Sequence, residues 1–380
     1  MFDITTTELL KDLVTIPSVN PMGATVKNDI YGEKAIAEYI ADFFRKLSLD
    51  YEIYEVHPGR PNVVATWLVN AKLTILLEAH TDTVDGKNMV IDPFSGKIKN
   101  GCLYGRGACD TKSSLAAMLM AMYNLKKHNR YPTYNLVLAA VADEEYGFRG
   151  AKALMKTGLK ADLAIVGEPT ELSIVNAHKG VVRWRITTYG VSVHSAYAER
   201  GENAIYAMAA IIHALQDYAR ELSETKRHPR LGCATLSVGT IHGGTAVNIV
   251  PDRCTIEIDR RILPDETLEQ AQNELVARLP DDINYEISEP LVWANGLDST
   301  YNASVVQRLQ QAAAPICGLR PVTTANYATD AGVYHQAGIP TVVFGPGSIE
   351  QAHTSGEFVE LQQVETAVKI FEKVCEMEHG

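Results

Sequence analysis

Continuous apolar runs that alternate with helical segments constrain the fold of this chain more than any other feature. Residues 73–77, 135–142 and 163–167 form such runs. Residues 113–128, between two of them, have the apolar spacing of a helix. Strands that are apolar on both faces and alternate with helices are typical of parallel sheets covered on both sides. We therefore predict an α/β fold with a mainly parallel sheet sandwiched by helices.

The pattern changes between residues 178 and 290. Strands there alternate apolar and polar residues, as half-exposed strands do. The order of elements, β-α-β-β-α-β, is that of the ferredoxin-like α+β motif. Patterns of buried strands and helices return from residue 291 onward. We expect one domain to comprise residues 1–177 and 291–380, with a second domain, residues 178–290, inserted into it.

Composition and charge argue against several classes of function. The 380 residues are 46% hydrophobic and 21% charged, and the formal net charge is -11. An acidic chain of this kind is a poor partner for nucleic acids or anionic membranes. No apolar run approaches the ~20 residues that span a bilayer, and the N-terminal residues lack the pattern of a signal peptide. The six cysteines are scattered without a Cys-x-x-Cys pair, which indicates reduced thiols and a cytoplasmic location.

Potential metal ligands follow the ends of the predicted strands or precede a predicted helix. They are histidines and acidic residues: His80, Asp110, Glu144, Glu145, Glu168 and His353. In open α/β sheets the functional crevice lies beyond the carboxyl ends of the strands, so these residues should converge. Each residue alone fits an ordinary interpretation, such as a polar turn, a solvated acidic loop or a helix cap. Together, at one edge of one sheet, they favour a metal site.

The mixture of ligand types indicates which metals would bind. Clustered carboxylates raise one another's pKa, and divalent cations remove that cost. Imidazole combined with carboxylate suits zinc and, less exclusively, cobalt or manganese. Five ligands, two histidines with one aspartate and two glutamates, are more than one catalytic zinc ion with an open position needs. It suits two ions about 3.5–4 Å apart that share a bridging carboxylate.

Five short motifs resemble those of a known enzyme family: HTDTV at 80–84, GRGACDTK at 105–112, DEE at 143–145, GEPT at 167–170 and QAH at 351–353. The chain is similar to peptidase family M20, the co-catalytic zinc aminoacylase/carboxypeptidase family. Its members include acetylornithine deacetylases, succinyl-diaminopimelate desuccinylases and glutamate carboxypeptidases. The resemblance implies a zinc-exopeptidase-like catalytic domain with an inserted lid and dimerisation domain. It also implies two divalent metal ions as cofactors.

The resemblance implies the ligands of each metal ion. One ion is expected to bind His80, Asp110 and Glu168, and the other Asp110, Glu145 and His353. Asp110 would bridge the two ions. In this family the peptide bond after the bridging aspartate is typically cis.

The resemblance also implies roles for two acidic residues beside the ligands. Asp82 is expected to hydrogen-bond His80 and so to fix the tautomer of its imidazole. Taken alone, the His80-Thr81-Asp82 segment fits a polar turn equally well. Glu144, adjacent to a ligand, is expected to act as the general base. It would take a proton from the metal-bridging water and pass it to the leaving amine.

Three residues of the predicted insert match functional positions of the family. His194 is expected to reach the active site of the partner subunit in a homodimer and to stabilise the tetrahedral oxyanion. Asn248 and Arg261 are expected to contact the substrate, with Arg261 pairing its carboxylate. The alternatives are a satisfied histidine for His194, a strand-edge amide for Asn248, and an ion pair with Asp259 for Arg261.

Several stretches resemble acetylornithine deacetylases in particular: AHKG at 177–180, RGENAI at 200–205, IHGG at 241–244 and GPGSIEQAH at 345–353. They imply hydrolysis of the amide bond of an N-acyl-amino acid that has a free carboxylate, and a place in arginine biosynthesis. The acyl group stays open, so a succinyl-diaminopimelate desuccinylase is an alternative. A dipeptidase or carboxypeptidase of the same family is another. The most distant alternative is a non-catalytic, metal-binding interaction protein.

Overall fold

The computed structural model describes residues 2–24 and 28–378, so the predicted domain ends at residues 1 and 380 lie outside it. The helices are α1 Thr6–Thr15, α2 Lys34–Lys46, α3 Lys112–Lys127, α4 Arg149–Lys156, α5 Ala204–Thr225, α6 Leu268–Val276, α7 Ala303–Cys317, α8 Ala331–Gln336 and α9 Leu361–Glu376. Within the described ranges, none of them has the length and apolar character needed to cross a membrane.

The strands follow the same chain order. They are β1 Asp50–His57, β2 Arg60–Trp67, β3 Thr74–His80, β4 Lys97–Lys99, β5 Cys102–Tyr104, β6 Asn135–Val141, β7 Leu163–Val166, β8 Ile174–His178, β9 Gly180–Tyr189, β10 Arg227–His228, β11 Gly232–Cys233, β12 Thr235–Gly243, β13 Arg253–Ile262, β14 Tyr285–Ile287, β15 Val292–Ala294, β16 Val322–Ala325, β17 Thr341–Val343 and β18 Phe358–Glu360.

Two compact units divide the chain. The first comprises Met1–Asn176, Asp298–Thr323 and Val333–Gly380. The second comprises Ala177–Leu297 and Thr324–Gly332. The second unit contains all of the predicted insert and also residues 291–297 and 324–332. Residues 291–297 belong to this unit because β15 pairs with β9. In residues 324–332, Thr329 Oγ1 is 3.0 Å from Nε2 of His178, another residue of the unit.

An eight-stranded sheet forms the centre of the first unit, in the order β1-β2-β6-β3-β7-β17-β8-β16. The four strands β6, β3, β7 and β17 run parallel, whereas β1, β2 and β8 pair antiparallel with their neighbours. Helices flank this sheet, which confirms the predicted fold class. The sequence of residues 61–67 and 73–77 also predicts two neighbouring strands, and that prediction is wrong, because β6 lies between β2 and β3 and pairs with both.

The sequence explains the helix that covers the centre of the sheet. α3 packs against β3, α1 and α9. Its residues Leu115–Tyr123 are all buried. A helix with partners on several sides must be apolar all round, and the LAAMLMAMY stretch meets that condition with small and flexible side chains. The N-terminus of this helix lies next to Asp110, so its packing on β3 brings Asp110 towards the end of that strand.

The second unit contains a β-α-β-β-α-β arrangement, as predicted. Its sheet has the order β12-β13-β9-β14, with antiparallel pairing throughout, and β15 also pairs with β9. The sequence pattern predicts a strand over residues 247–262, but the strand begins later, since β13 starts at Arg253. Asn248 therefore lies in a turn rather than in a strand.

Candidate metal centre

The parallel strands of the large sheet end at one edge, and the candidate ligands follow them. His80 is the last residue of β3 and pairs with Val141, the last residue of β6. Glu144 and Glu145 come shortly after β6, and Glu168 comes shortly after β7. Neighbouring parallel strands in register bring such residues together at their carboxyl ends.

Asp110 lies between the two histidines. Its Oδ1 is 3.1 Å from His80 Nε2, and its Oδ2 is 3.2 Å from His353 Nε2. His353 Nε2 is also 3.1 Å from Glu145 Oε2, and His80 Nε2 is 3.8 Å from Glu168 Oε1. The two oxygens of one carboxylate thus face different imidazoles. The Asp110–Thr111 peptide bond is cis, as the resemblance implied.

The side chains of this centre fit divalent metal ions. Ligand atoms of His80, Asp110 and Glu145 lie within 4.8 Å of one another, and so do those of His80, Glu144 and Glu168. Imidazole nitrogens mixed with carboxylate oxygens are the donors that zinc and similar ions prefer. These two groups differ from the ligand sets predicted for the two ions. His80 belongs to both groups, and Glu144, the expected general base, belongs to one of them.

His353 occupies the open side of the centre. Its side chain is half exposed, whereas His80 and Asp110 are buried. A cavity of about 500 Å³ borders His353, with Val84 and Arg106 in its wall. A small molecule could therefore approach the centre from this side.

Negative charge dominates the electrostatics of the centre. Burial disfavours charge on His80, yet Asp110 and neighbouring carboxylates raise the pKa of its imidazole well above the ordinary value. Hydrogen bonds to Asp110 and Glu145 raise the pKa of His353 to about 10. Burial acts to raise the pKa of Asp110, but the two histidines hold it well below its usual range. Carboxylates that favour protonated imidazoles to this extent would also favour metal cations in place of those protons.

Asp82 contacts His80 through its main chain, whereas its side chain was expected to make that contact. His80 Nδ1 is 2.9 Å from the main-chain oxygen of Asp82 but 3.7 Å from its carboxylate Oδ1. The carboxylate instead accepts the N–H groups of Glu144 and Glu145, each at 3.1 Å. The expected hydrogen bond to His80 therefore comes from the main chain of Asp82, and its side chain holds the turn after β6. Residue identity alone does not show which of the two would make that contact.

Glu357 holds the main chain beside Asp110 in a similar way. Its Oε1 accepts the N–H groups of Cys109 and Asp110 at 2.9 and 3.0 Å, and its Oε2 accepts from Arg106 Nη1 at 2.7 Å. All of these groups are buried. Sequence reasoning missed Glu357, because it reaches this loop through the antiparallel pairing of β18 with β5. A strand pairing between distant segments leaves no local signal.

A second buried polar cluster, also missed from the sequence, lies behind Glu144. Asn20 Nδ2 donates to Asp82 Oδ2 and Asp143 Oδ1, at 2.7 and 3.0 Å. Arg60 pairs with both Asp143 and Glu33. Burial raises the pKa of Glu33 to about 7 despite its contact with Arg60. This cluster, Asn20, Glu33, Arg60, Asp82 and Asp143, supports the turn that carries Glu144 and Glu145.

His194 and Asn248 lie next to each other in the second unit. The N–H of Ser195 donates to the main-chain oxygen of Asn248 at 3.0 Å, and His194 forms an antiparallel bridge with Ile249. The His194 Nδ1 accepts the N–H of Ala196 at 3.1 Å. In a neutral imidazole that contact places the proton on Nε2, so Nε2 is the donor of this exposed side chain.

Arg261 forms the ion pair that was its alternative interpretation. Its Nε is 2.7 Å from Asp259 Oδ1, and its Nη2 is 3.3 Å from Oδ2. Arg183 Nε reaches the same carboxylate, at 2.8 Å from Oδ2. Two guanidinium groups thus share one carboxylate, and the cluster keeps a net positive charge that a further carboxylate could neutralise.

Comparisons with known proteins match nearly the whole chain. Residues 76–377 match the family model described as Peptidase family M20/M25/M40. An acetylornithine deacetylase from Proteus mirabilis is 32% identical over 384 residues, which covers 97% of this chain and 95% of that protein.

Solved structures show the same fold. An M20-family metallo-carboxypeptidase from Sulfolobus solfataricus has a TM-score of 0.82 at 23% identity and covers 98% of this chain and 99% of its own. A dinuclear metal-binding M20 peptidase from Bacillus subtilis has a TM-score of 0.67 at 17% identity, with 97% and 96% covered. Because the family model covers most of the chain, including Asp110 and both histidines of the centre, the chain belongs to peptidase family M20/M25/M40 and is a metal-dependent hydrolase.

Proposed function

We propose that this chain hydrolyses the amide bond of an N-acyl-amino acid at a centre of two divalent metal ions. The observation that carries the proposal is the position of Asp110, whose two carboxylate oxygens face His80 and His353 separately. A carboxylate in that position is suited to bridge two cations. Curated relatives named acetylornithine deacetylase support the substrate class.

In this proposal His80, Asp110 and Glu168 hold one ion, and Asp110, Glu145 and His353 hold the other. The donor types favour zinc, with cobalt or manganese as alternatives. When bound, the ions would polarise the scissile carbonyl and lower the pKa of the attacking water. The protein supplies the remaining chemistry through the groups described next.

Glu144 acts as the general base. It takes a proton from the attacking water and delivers it to the nitrogen of the leaving amine, which allows the C–N bond to break. Its side chain lies among the candidate ligands, with an oxygen within 4.8 Å of ligand atoms of His80 and Glu168. Its main-chain N–H is bonded to Asp82, so the carboxylate starts from a fixed backbone.

The second unit supplies substrate contacts. His194 donates from Nε2 to the oxyanion of the tetrahedral intermediate, and it does so in the partner subunit of a homodimer. Arg261 binds the carboxylate of the amino acid, and Asn248 contacts the substrate beside it. The Nδ1 contact of His194 and the net positive charge around Asp259 support these roles. We place the enzyme in the cytoplasm and in arginine biosynthesis, and the six free cysteines support the compartment.

A substrate panel tests the proposal. The metal-free protein is reconstituted with zinc or cobalt and assayed with N-acetylornithine, N-succinyl-diaminopimelate and dipeptides. We expect hydrolysis of an N-acyl-amino acid to exceed that of dipeptides, to disappear on chelation and to return with metal. Faster hydrolysis of dipeptides would favour a peptidase. Two bound ions without any hydrolysis would favour a non-catalytic role.

A further inference from the structure

The side chain of Asp82 holds the turn that carries Glu144, and other residues hold the Asp82 side chain in turn. Asp82 Oδ1 accepts the N–H of Glu144, and Oδ2 accepts the N–H of Glu145. Asp82 is fully buried, so its carboxylate cannot replace these partners with solvent. Any group that orients the Asp82 carboxylate therefore also controls where the main chain of Glu144 lies.

Asn20 is such a group. Its Nδ2 donates to Asp82 Oδ2 at 2.7 Å and to Asp143 Oδ1 at 3.0 Å, while its Oδ1 accepts the N–H of Met22 at 2.8 Å. Because ionised carboxylates cannot donate, only one orientation of the amide satisfies all three partners. Asn20 is 2% exposed, and its own N–H donates to the main-chain oxygen of Thr83 at 2.8 Å. The amide is thus fixed at both its side chain and its backbone.

Asp143, the second carboxylate bonded to Asn20, immediately precedes Glu144. Its backbone lies in the left-handed region, with φ at 67°, which a residue other than glycine adopts only when its surroundings hold it. The N–H of Asp143 donates to Glu33 Oε1 at 3.1 Å, and its carboxylate pairs with Arg60. Asn20 consequently joins the carboxylate that accepts the Glu144 N–H to the residue that precedes Glu144.

The charges in this cluster explain why an amide suits the position. Asp82, Asp143 and Glu33 are all buried, and Arg60 is the buried cation that pairs with them. Carboxylates this close repel one another. The neutral amide of Asn20 places two donors between two of them without adding charge. An aspartate of nearly the same shape would remove the donors and add a further negative charge.

We propose that Asn20 is a positioning residue for Glu144. It holds the Asp82 and Asp143 carboxylates, and through them it fixes the main chain from which the base extends. The inference rests on the proposed function, because it requires Glu144 to act as the base. Asn20 borders the cavity beside His353 but is only 2% exposed, and in this scheme it acts on the base through Asp82 and Asp143.

Steady-state kinetics of the metal-loaded full chain test the inference, with the best N-acyl-amino acid of the panel as substrate. Asn20→Ala should lower kcat by about 10–100-fold, the range typical of residues that orient groups around a metal centre. KM should stay close to the wild-type value, because the proposed substrate contacts of Asn248 and Arg261 are untouched. Asn28→Ala is the matched control: its exposed side chain accepts the N–H of Ile30, at 3.2 Å. That variant should match the wild type.

A double-mutant cycle separates positioning from a general structural role. In a Glu144→Ala background, Asn20→Ala should have little further effect on kcat, because Asn20 acts through the base. A full multiplicative loss in the double variant would overturn the inference, as would an unchanged kcat in Asn20→Ala alone. A wild type that is inactive on the entire panel would overturn the proposed function, and this inference with it.

Thermal unfolding of the metal-free protein gives a readout that does not depend on activity. Asn20→Asp should lower the midpoint, since it adds a carboxylate to those of Asp82 and Asp143. Adding Asp143→Asn should recover part of the loss, because the new amide at position 143 restores a donor and removes a charge. Asn28→Asp should leave the midpoint unchanged. A double variant no more stable than Asn20→Asp alone would refute the charge argument.

Discussion

The candidate ligands of the first unit and the predicted substrate residues of the second are held in opposite ways. His80 contacts Asp110 across 30 residues of sequence, and His353 contacts Glu145 across 208. By contrast, His194 and Arg261 bond to groups only 2 residues away. His80 and Asp110 are also buried, whereas His194 is exposed.

The candidate metal centre and the predicted substrate contacts therefore depend on different parts of the fold. The sheet assembles the metal centre, because contacts between distant segments exist only in the folded chain. The side-chain hydrogen bonds of His194 and Arg261 are instead made to residues close in sequence, although Arg261 itself lies in β13 and shares Asp259 with Arg183. Variants of the first group should therefore change metal binding or the base. Variants of the second group should change kinetic constants and leave metal content alone.

The largest effect is expected for Glu144→Gln. Loss of a general base lowers kcat by about 10²–10⁴-fold. Bound metal, measured by atomic absorption, should remain because the predicted ligands are intact. The control is Glu52→Gln, an exposed glutamate of β1, which should be fully active. Loss of metal together with activity would place Glu144 among the ligands, as its proximity to His80 and Glu168 also allows.

His194→Ala should produce the next largest effect. Removing one oxyanion donor typically costs about 10²–10³-fold in kcat. Metal content should be unchanged, and His213→Ala, an exposed histidine of α5 in the same unit, serves as the control. Equal activities of the two variants would return His194 to the role of an ordinary surface histidine.

Mixing subunits tests whether His194 acts in the partner. Glu144→Gln and His194→Ala proteins, each nearly inactive, are unfolded together, refolded and reconstituted with metal. In a mixed dimer one site would combine an intact Glu144 with an intact His194 of the other subunit, so activity should reappear. Absence of recovery would mean that His194 acts within its own chain.

Glu357→Ala should weaken the metal centre by about 10–100-fold in metal affinity or activity. The change leaves the N–H groups of Cys109 and Asp110 without their acceptor and Arg106 without its buried partner. Titration with zinc should restore part of the activity at high metal concentration. The neighbouring Glu360→Ala is the control, since Glu360 is exposed. Equal metal affinities of the two variants would exclude Glu357 from this role.

The large features of the fold were predictable because periodicity is local. The helix at Thr6–Thr15 and the buried strands that end near His80, Val141 and Val166 follow from apolar spacing alone. The convergence of their ends follows from the geometry of parallel sheets. The edge strand β1 escaped prediction because most of its residues are exposed and several are charged. The insertion of β6 between β2 and β3 escaped because strand order is not encoded in any single segment.

The supporting residues of the centre were not predictable for a related reason. Asp82 stood in a recognisable motif, yet whether its main chain or its side chain would contact His80 depends on rotamer and backbone details. Asn20 and Glu357 lie far from the motifs in sequence and are brought to them by tertiary packing. A buried polar residue of this kind is recognised only once its partners are known.

The smallest effect is expected for Arg261→Ala, and it decides between the two interpretations of that residue. If Arg261 binds the substrate carboxylate, KM should rise by about 10-fold in Arg261→Ala. This rise is near the lower limit for losing a hydrogen bond to a charged group, because the Arg261 side chain is partly exposed and already paired. Arg183→Ala is the matched control, since Arg183 reaches the same Asp259 carboxylate. A larger KM for Arg261→Ala than for Arg183→Ala supports substrate binding. Equal, small changes in the two variants would mean that Arg261 serves only the ion pair with Asp259.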